Sequence, residues 1–103
     1  MKIYDAAYVV RSKNSGPFAV TLDILFDRED YYYRLKNSGL ITPEFIAKLY
    51  KINVVDITDF AWYDAGLGVK ITYLRQVASG TVGDRDVYGA QQHAPLLSLE
   101  MPE

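Results

Sequence analysis

The stretch from Ala19 to Phe26 alternates apolar and polar side chains with the two-residue period of a β-strand. Its apolar face carries Val20, Leu22, Ile24 and Phe26. Thr21 and Asp23 fall on the opposite face. Such a strand must bury its apolar face against a second layer, so helices or another sheet have to cover it. The 103 residues of the chain fit one domain, residues 1–103, built around one core.

Two helices are predicted after this strand. Asp27 is placed to cap a helix from Arg28 to about Ser38, and Gly39 is placed to end it because glycine tolerates a left-handed backbone. Thr42 and Pro43 carry the cap and first-turn signals of a second helix. The apolar stripe of that second helix consists of Phe45, Ile46, Leu49 and Tyr50.

Two more strands are predicted at Asp59–Tyr63 and Leu67–Leu74, joined by a turn over residues 64–66. Short connections within strand pairs favour a mostly antiparallel sheet, so the sequence predicts an α+β domain with helices on one face. The other face is either solvated or faces a partner. It carries Thr21, Asp23, Lys70 and Thr72. Asp23 is expected to pair with Lys70 on a neighbouring strand.

The ends of the chain give weaker patterns. Residues 3–10 fit both a helical stripe and a strand, and we favour a strand because a loop and a clear strand follow. That loop is predicted over residues 11–17, which read RSKNSGP. Near the C-terminus we predict a polar loop over residues 76–86, a helical turn over 90–93 and an edge strand over 96–101, with Pro95 at its start.

Composition excludes several classes of function. The chain has no cysteine, which removes disulfides, zinc–thiolate sites and thiol nucleophiles. A net charge of −2 argues against a nucleic-acid partner, which usually needs a basic face. No segment approaches the roughly 20 apolar residues that span a bilayer, and Asp5 interrupts any signal-peptide core. A cytoplasmic protein without a membrane partner is therefore expected.

Tyrosine is unusually frequent, with nine in the chain and three in a row at residues 31–33. Tyrosine has an apolar ring and a polar tip, and it is enriched at protein interfaces. A small domain cannot bury many such rings. Either a partner subunit or a second copy of the chain covers them, or they lie half-exposed over the core.

A first polar cluster consists of Arg11, Ser12, Lys13 and Asn14 ahead of a Gly-Pro pair. The arginine fork and the mobile lysine charge suit a carboxylate or a phosphate, and loop amides can add donors. This run is not a phosphate-loop signature. A solvated hairpin turn is the plainer interpretation of the same residues.

A second cluster lies between Gly83 and Pro95. Asp84 is a candidate general base, and His93 is the only histidine, with a side chain that titrates near neutral pH. Gln91 and Gln92 add amide donors and acceptors beside it. One histidine and two nearby carboxylates are too few for a dedicated metal site, so no metal is predicted. A hydrogen-bonded structural role for His93 is the alternative.

Four segments carry a resemblance to a known family along nearly the whole chain. They are RSKNSGPF at residues 11–18, TLDILFD at 21–27, LITPE at 40–44 and GDRDVYGAQQHAPLL at 83–97. The chain resembles a family of small bacterial and archaeal proteins known as a domain of unknown function. It is also similar to the ferredoxin-fold domain of AtuA-like proteins, named for acyclic terpene utilisation. Where those have an RSGDKG loop, this chain keeps Arg11, Ser12 and Gly16 but replaces the three residues between them.

The resemblance implies a ferredoxin-like fold and a small companion of a larger AtuA-like protein in the catabolism of carboxylic acids or their thioesters. Under this hypothesis the chain is a subunit of a lyase or hydratase. The Arg11 segment would hold a substrate carboxylate at the subunit border, beside residues 91–93. The alternative hypothesis is a non-catalytic, homo-oligomeric binding or structural domain. The sequence contains no cofactor fingerprint, and it leaves the substrate and the reaction open.

Overall fold

Within the residues that the structure describes, four strands form one antiparallel sheet. The computed structural model describes residues 1–16, 18–74 and 94–102. Its strands are β1 (Val9–Asn14), β2 (Ala19–Leu25), β3 (Ile57–Tyr63) and β4 (Gly68–Leu74). Their order across the sheet is β1-β2-β4-β3. The predicted antiparallel sheet is confirmed, and so are the three predicted strands that correspond to β2, β3 and β4.

In the described part of the chain, three α-helices accompany the sheet: α1 (Ile3–Ala6), α2 (Glu29–Ser38) and α3 (Pro43–Tyr50). Single 3₁₀ turns lie at Val54–Asp56, Asp64–Gly66 and Ala94–Ser98. Side chains of α2 and α3 share one buried cluster with the apolar face of the sheet. The α+β class with helices packed on one face is therefore confirmed.

The core lies between these helices and the two central strands. From the sheet it takes Val20, Leu22 and Ile24 of β2 and Val69, Ile71 and Tyr73 of β4. Tyr32 and Leu35 of α2 and Ile46 of α3 close it from above, each fully buried. The alternation of apolar residues identified these inward faces because successive strand residues point to opposite sides. Tyr32 also meets the Trp62 ring edge-on at 5.8 Å between centroids.

The helix ends follow the predicted signals in two of three cases. Gly39 ends α2 with φ 74°, a left-handed conformation. The Thr42 hydroxyl accepts a hydrogen bond from the Phe45 amide at 3.0 Å and so caps α3. The predicted Asp27 cap is wrong. Helix α2 begins at Glu29, which makes Arg28 the cap residue and places Asp27 one position too early.

The N-terminal predictions need correction. Residues 3–6 form a helix rather than a strand, and the predicted loop over residues 11–17 is strand through Asn14. Backbone pairing with β2 runs from Val9 opposite Leu25 to Asn14 opposite Val20. A polar run makes a good edge strand when its neighbour supplies the hydrogen bonds, so pairing overrides the turn-like composition of these residues.

The predicted edge strand over residues 96–101 is wrong. A 3₁₀ turn lies there, with one isolated bridge between Lys2 and Glu100. Leu96 and Met101 are buried with α1, and the Ile3 amide donates to the Leu99 carbonyl at 2.9 Å. Packing against the N-terminus therefore decides this conformation. The loop and helical turn predicted over 76–86 and 90–93 lie outside the described residues.

The ferredoxin-like arrangement is not confirmed. That fold follows the order β-α-β-β-α-β. The described strands and longer helices follow the order β1-β2-α2-α3-β3-β4. One part agrees, because β4 lies between β2 and β3, as in a split β-α-β unit. Strand β1 differs from that fold, because it joins the sheet by forming an N-terminal hairpin with β2.

The two cap positions give a matched test. Thr42→Ala is expected to lower the free energy of unfolding by about 1 kcal/mol, because the Phe45 amide loses its acceptor. Asp27→Ala is expected to change it by less than about 0.5 kcal/mol. Urea denaturation followed by circular dichroism measures both. An equal loss in the two variants would contradict this assignment of the caps.

Candidate functional site

Three ionisable residues lie side by side on the sheet face opposite α2 and α3, here called the open face. Arg11 of β1 is the register partner of Asp23 in β2, and Asp23 is also the partner of Lys70 in β4. Partners in register project on the same side of a sheet. The three side chains therefore form one row across three strands.

Within this row, Asp23 is paired with Arg11. The Arg11 Nε donates to Asp23 Oδ2 at 3.1 Å, and the Asp23 side chain is only 3% exposed against 56% for that of Arg11. The predicted ion pair between Asp23 and Lys70 is wrong, although the two are neighbours in the sheet. Lys70 makes no ion pair within the described residues. A buried carboxylate needs a partner, and Arg11 provides it.

The contact through Nε leaves the outer edge of the guanidinium open. Among the residues that the structure describes, the two terminal nitrogens of Arg11 have no hydrogen-bond partner. Asp23 restrains the side chain, so these nitrogens are held in a preferred direction. A restrained guanidinium fork with open donors suits a planar anion such as a carboxylate.

A hollow lies next to this row. In the adjacent row Gly68 is the register partner of both Leu25 and Tyr63. The cavity has a volume of about 340 Å³. Arg11, Asp23 and Lys70 line it together with Leu25, Tyr63 and Gly68. The end of the Leu25 side chain lies over Gly68, so a Cβ atom at residue 68 would displace that side chain.

The row on the other side of Arg11 and Asp23 consists of hydroxyl groups that bond one another. The Thr21 hydroxyl lies 2.9 Å from that of Thr72 and donates to the Ser15 hydroxyl at 3.0 Å. Thr21 is buried. These groups satisfy each other, so they give the central strands a polar contact rather than a binding site.

The structure separates the four residues of the first predicted cluster. Arg11 and Lys13 lie on the open face, and both are exposed. Ser12 and Asn14 point to the other side because residues alternate along β1, and neither is without a partner. The ligand-binding role of these four residues stays a prediction. The two cations lie on one side of the sheet and the two neutral residues on the other.

The second predicted cluster is not placed. Asp84, Gln91, Gln92 and His93 all lie outside the described residues, so their distance from Arg11 stays open. The sequence analysis did not select Lys70, Tyr63 or Gly68 as site residues. A glycine at the start of an alternating strand was the available signal, since glycine in a strand often marks a close backbone approach.

A second polar contact fixes the turn beside the hollow. Asp64 Oδ1 accepts hydrogen bonds from the Tyr32 hydroxyl at 2.6 Å and from Lys36 Nζ at 2.7 Å. The Lys36 bond, and then the Tyr32 bond, hold the pKa of the Asp64 carboxyl below its ordinary value. Burial and then the bond to Asp64 raise the pKa of Tyr32. Helix α2 is thereby tied to the β3–β4 turn.

No group of three histidine, cysteine or acidic side chains in the described part of the chain could hold a metal ion. Among residues 1–16, 18–74 and 94–102, no helix is long and apolar enough to cross a bilayer.

The structure is that of a small acidic α+β domain, and the cationic hollow on its open face is a candidate anion site. The chain belongs to the family described as a domain of unknown function (DUF4387), which matches residues 3–100. The predicted membership of such a family is thereby confirmed. No curated protein and no solved structure matches the sequence.

The Asp64 contact predicts a pH-dependent stability. Its folded pKa is depressed, so its contribution is complete above the unfolded pKa and is lost as the pH falls through the folded value. Asp64→Asn is expected to be less stable than the wild type near neutral pH. The difference in free energy of unfolding should shrink below about pH 4. Urea denaturation across this range measures it.

Asp59→Asn is the control for this experiment. Asp59 is exposed and makes no ion pair within the described residues. Its substitution should leave the pH profile of stability close to that of the wild type. If the stability of Asp64→Asn had the same pH dependence as that of the wild type, the stabilising role assigned to Asp64 would be wrong.

The pair between Arg11 and Asp23 predicts a second difference. Arg11→Met should lower the free energy of unfolding by about 1–3 kcal/mol, because the buried Asp23 carboxylate loses its donor. Lys13→Met is the matched control on the same strand and face. It should cost less than about 0.5 kcal/mol, since Lys13 makes no ion pair in the described structure. Equal stability of the two variants would show that Asp23 does not depend on Arg11.

Proposed function

We propose that this chain is the small companion subunit of a larger AtuA-like catabolic protein. In this role it contributes a carboxylate-binding surface to a lyase or hydratase site at the subunit border. The observation that carries the proposal is the Arg11 guanidinium, which is restrained by Asp23 and lines the same hollow as Lys70. Among the described residues, neither the Arg11 terminal nitrogens nor Lys70 has an ionic partner.

The geometry supports binding of a carboxylic acid or its thioester in two ways. The open edge of Arg11 can donate two parallel hydrogen bonds to a carboxylate, and Lys70 adds a mobile positive charge at the rim of the hollow. Asp23 holds Arg11 before any ligand arrives, which lowers the entropy lost on binding. In a lyase or hydratase, a substrate held by its carboxylate in this way keeps the adjacent carbon accessible, so that a proton can be transferred to or from that carbon. His93 and Asp84 are the proposed acid and base for that step.

The exposed apolar residues support a partner at this border. Tyr63 lies on the rim of the hollow and is 52% exposed. Further large exposed side chains among the described residues include Tyr4, Tyr8, Phe18, Val55 and Leu74. A shallow site whose rim carries an exposed aromatic ring is typical of a site that a second subunit completes. The larger protein would then supply the remaining wall and further catalytic groups.

The alternative is a non-catalytic, homo-oligomeric binding or structural domain. The same exposed apolar side chains favour it, because a second copy of the chain could cover them. In that case the isolated chain should form a defined oligomer, and the row of Arg11, Asp23 and Lys70 should act in assembly or stability rather than turnover.

Co-purification from the native cell separates the two functions. A tagged chain is expected to retain a larger AtuA-like protein, and the complex should bind carboxylates through Lys70. In this complex Lys70→Met should weaken carboxylate binding at least about tenfold, the value of one charge-assisted hydrogen bond. Lys48→Met on α3, which lies on the helix-covered side, is the control and should bind as the wild type does.

Other results would favour the alternative or reject both. A chain that forms a stable oligomer alone and retains no larger protein would support the homo-oligomeric domain. A complex whose carboxylate affinity is the same in the Lys70 and Lys48 variants would exclude this face as the binding surface. Light scattering gives the mass of each species, and calorimetry gives the affinity.

A further inference from the structure

The charges that line the hollow limit what can bind there. Arg11 and Lys70 are cations, and Asp23 is an anion already paired with Arg11 at 3.1 Å. One positive charge is left without a partner among the described residues. A ligand with a single negative charge would neutralise it, whereas a doubly charged ligand would leave one negative charge without a cation in a hollow that already holds the Asp23 carboxylate.

The shape of the hollow adds a second limit. Beyond the charged row, the hollow is lined by the Tyr63 ring and by the Leu25 side chain, whose end lies over Gly68. This half offers carbon surface rather than hydrogen-bond donors. The volume of about 340 Å³ lies at the lower end of the range for ligand pockets, so a small molecule fits best.

From these two limits we infer that the hollow binds a small monocarboxylate. The carboxylate lies between the Arg11 terminal nitrogens and Lys70 Nζ, and the hydrocarbon part lies against the Leu25 and Tyr63 side chains. This inference rests on the proposed function, since it names the class of carboxylate for the same surface. It makes Gly68 the residue that sets the size of the hydrocarbon part.

Phosphate and dicarboxylates fit the hollow less well. A phosphate group carries up to two charges and has three acceptor oxygens, which would compete for the donors of one arginine and one lysine. A dicarboxylate would place its second charged group against Leu25 and Tyr63, where desolvation is costly. A monocarboxylate is therefore expected to bind more tightly than phosphate or a dicarboxylate.

Three four-carbon probes test the inference directly. Butanoate, butanedioate and butanamide share a chain length but carry one, two and no negative charges. Each is titrated into the full chain and into the co-purified complex, and amide shifts of Gly68 and Lys70 are followed by NMR. Butanoate should bind at least about fivefold more tightly than either of the others, and inorganic phosphate should bind more weakly than butanoate.

Two variants link this binding to the hollow. Gly68→Ala should weaken butanoate binding about tenfold or more, because the added methyl group would displace the Leu25 side chain into the space for the hydrocarbon part. Thermal unfolding shows whether that variant is folded. Lys70→Met is the second variant, and it loses no ion pair of the described structure. Lys48→Met is again the control.

The outcomes separate this inference from the proposed function. Tighter binding of butanedioate or phosphate, no binding by either the chain or the complex, or butanoate binding that neither variant weakens would overturn the inference. If the larger protein co-purifies while dicarboxylates bind best through Lys70, the proposed function stands and the inference fails. If butanoate binds as expected but no larger protein is retained, the monocarboxylate site stands and the companion role fails.

Discussion

Antiparallel pairing between β2 and β4 supports everything else in this domain. The two strands are central in the sheet, and their register places Val20, Leu22 and Ile24 beside Tyr73, Ile71 and Val69. This double row is the floor on which α2 and α3 pack. The same pairing places Asp23 beside Lys70 and Leu25 beside Gly68 on the other face. Core and candidate site are thus two sides of one strand pair.

A charge on a central strand has a free-energy cost, which an ion pair with the edge strand offsets. Asp23 is almost completely buried, and an unpaired carboxylate there would be strongly unfavourable. Arg11 reaches it from the edge strand with one nitrogen and keeps the remainder of its guanidinium exposed. The contact that stabilises Asp23 therefore also orients the group that we propose binds a ligand. A structural and a functional role are compatible in Arg11 because its fork has two edges.

The turn between β3 and β4 connects this face to the helical layer. Asp64 lies in that turn and accepts hydrogen bonds from two residues of α2. Gly68 lies at the start of β4 close to this turn, and the Leu25 side chain that packs over it lines the hollow. The position of α2 over the core and the shape of the hollow are consequently linked through one short turn.

Local patterns predicted the elements that bury apolar surface. The alternation in β2 and β4 and the cap and stop signals at Thr42 and Gly39 could be read directly, because each depends on a few adjacent residues. Predictions failed where distant parts of the chain meet. Residues 11–14 have the composition of a turn but form a strand because β2 pairs with them. Residues 96–101 have the composition of a strand but pack on α1 as a turn and an extended end.

The candidate site divides in the same way. The sequence by itself determined that Arg11 and Lys13 are cations near a hairpin, and that Thr21, Asp23 and Lys70 lie on the polar face of their strands, because side-chain period is a local property. Only the tertiary structure decided that Arg11 rather than Lys70 pairs with Asp23, and that Leu25, Tyr63 and Gly68 line a hollow next to this pair. Strand order and register decide these contacts, and both depend on long-range pairing that no local pattern records.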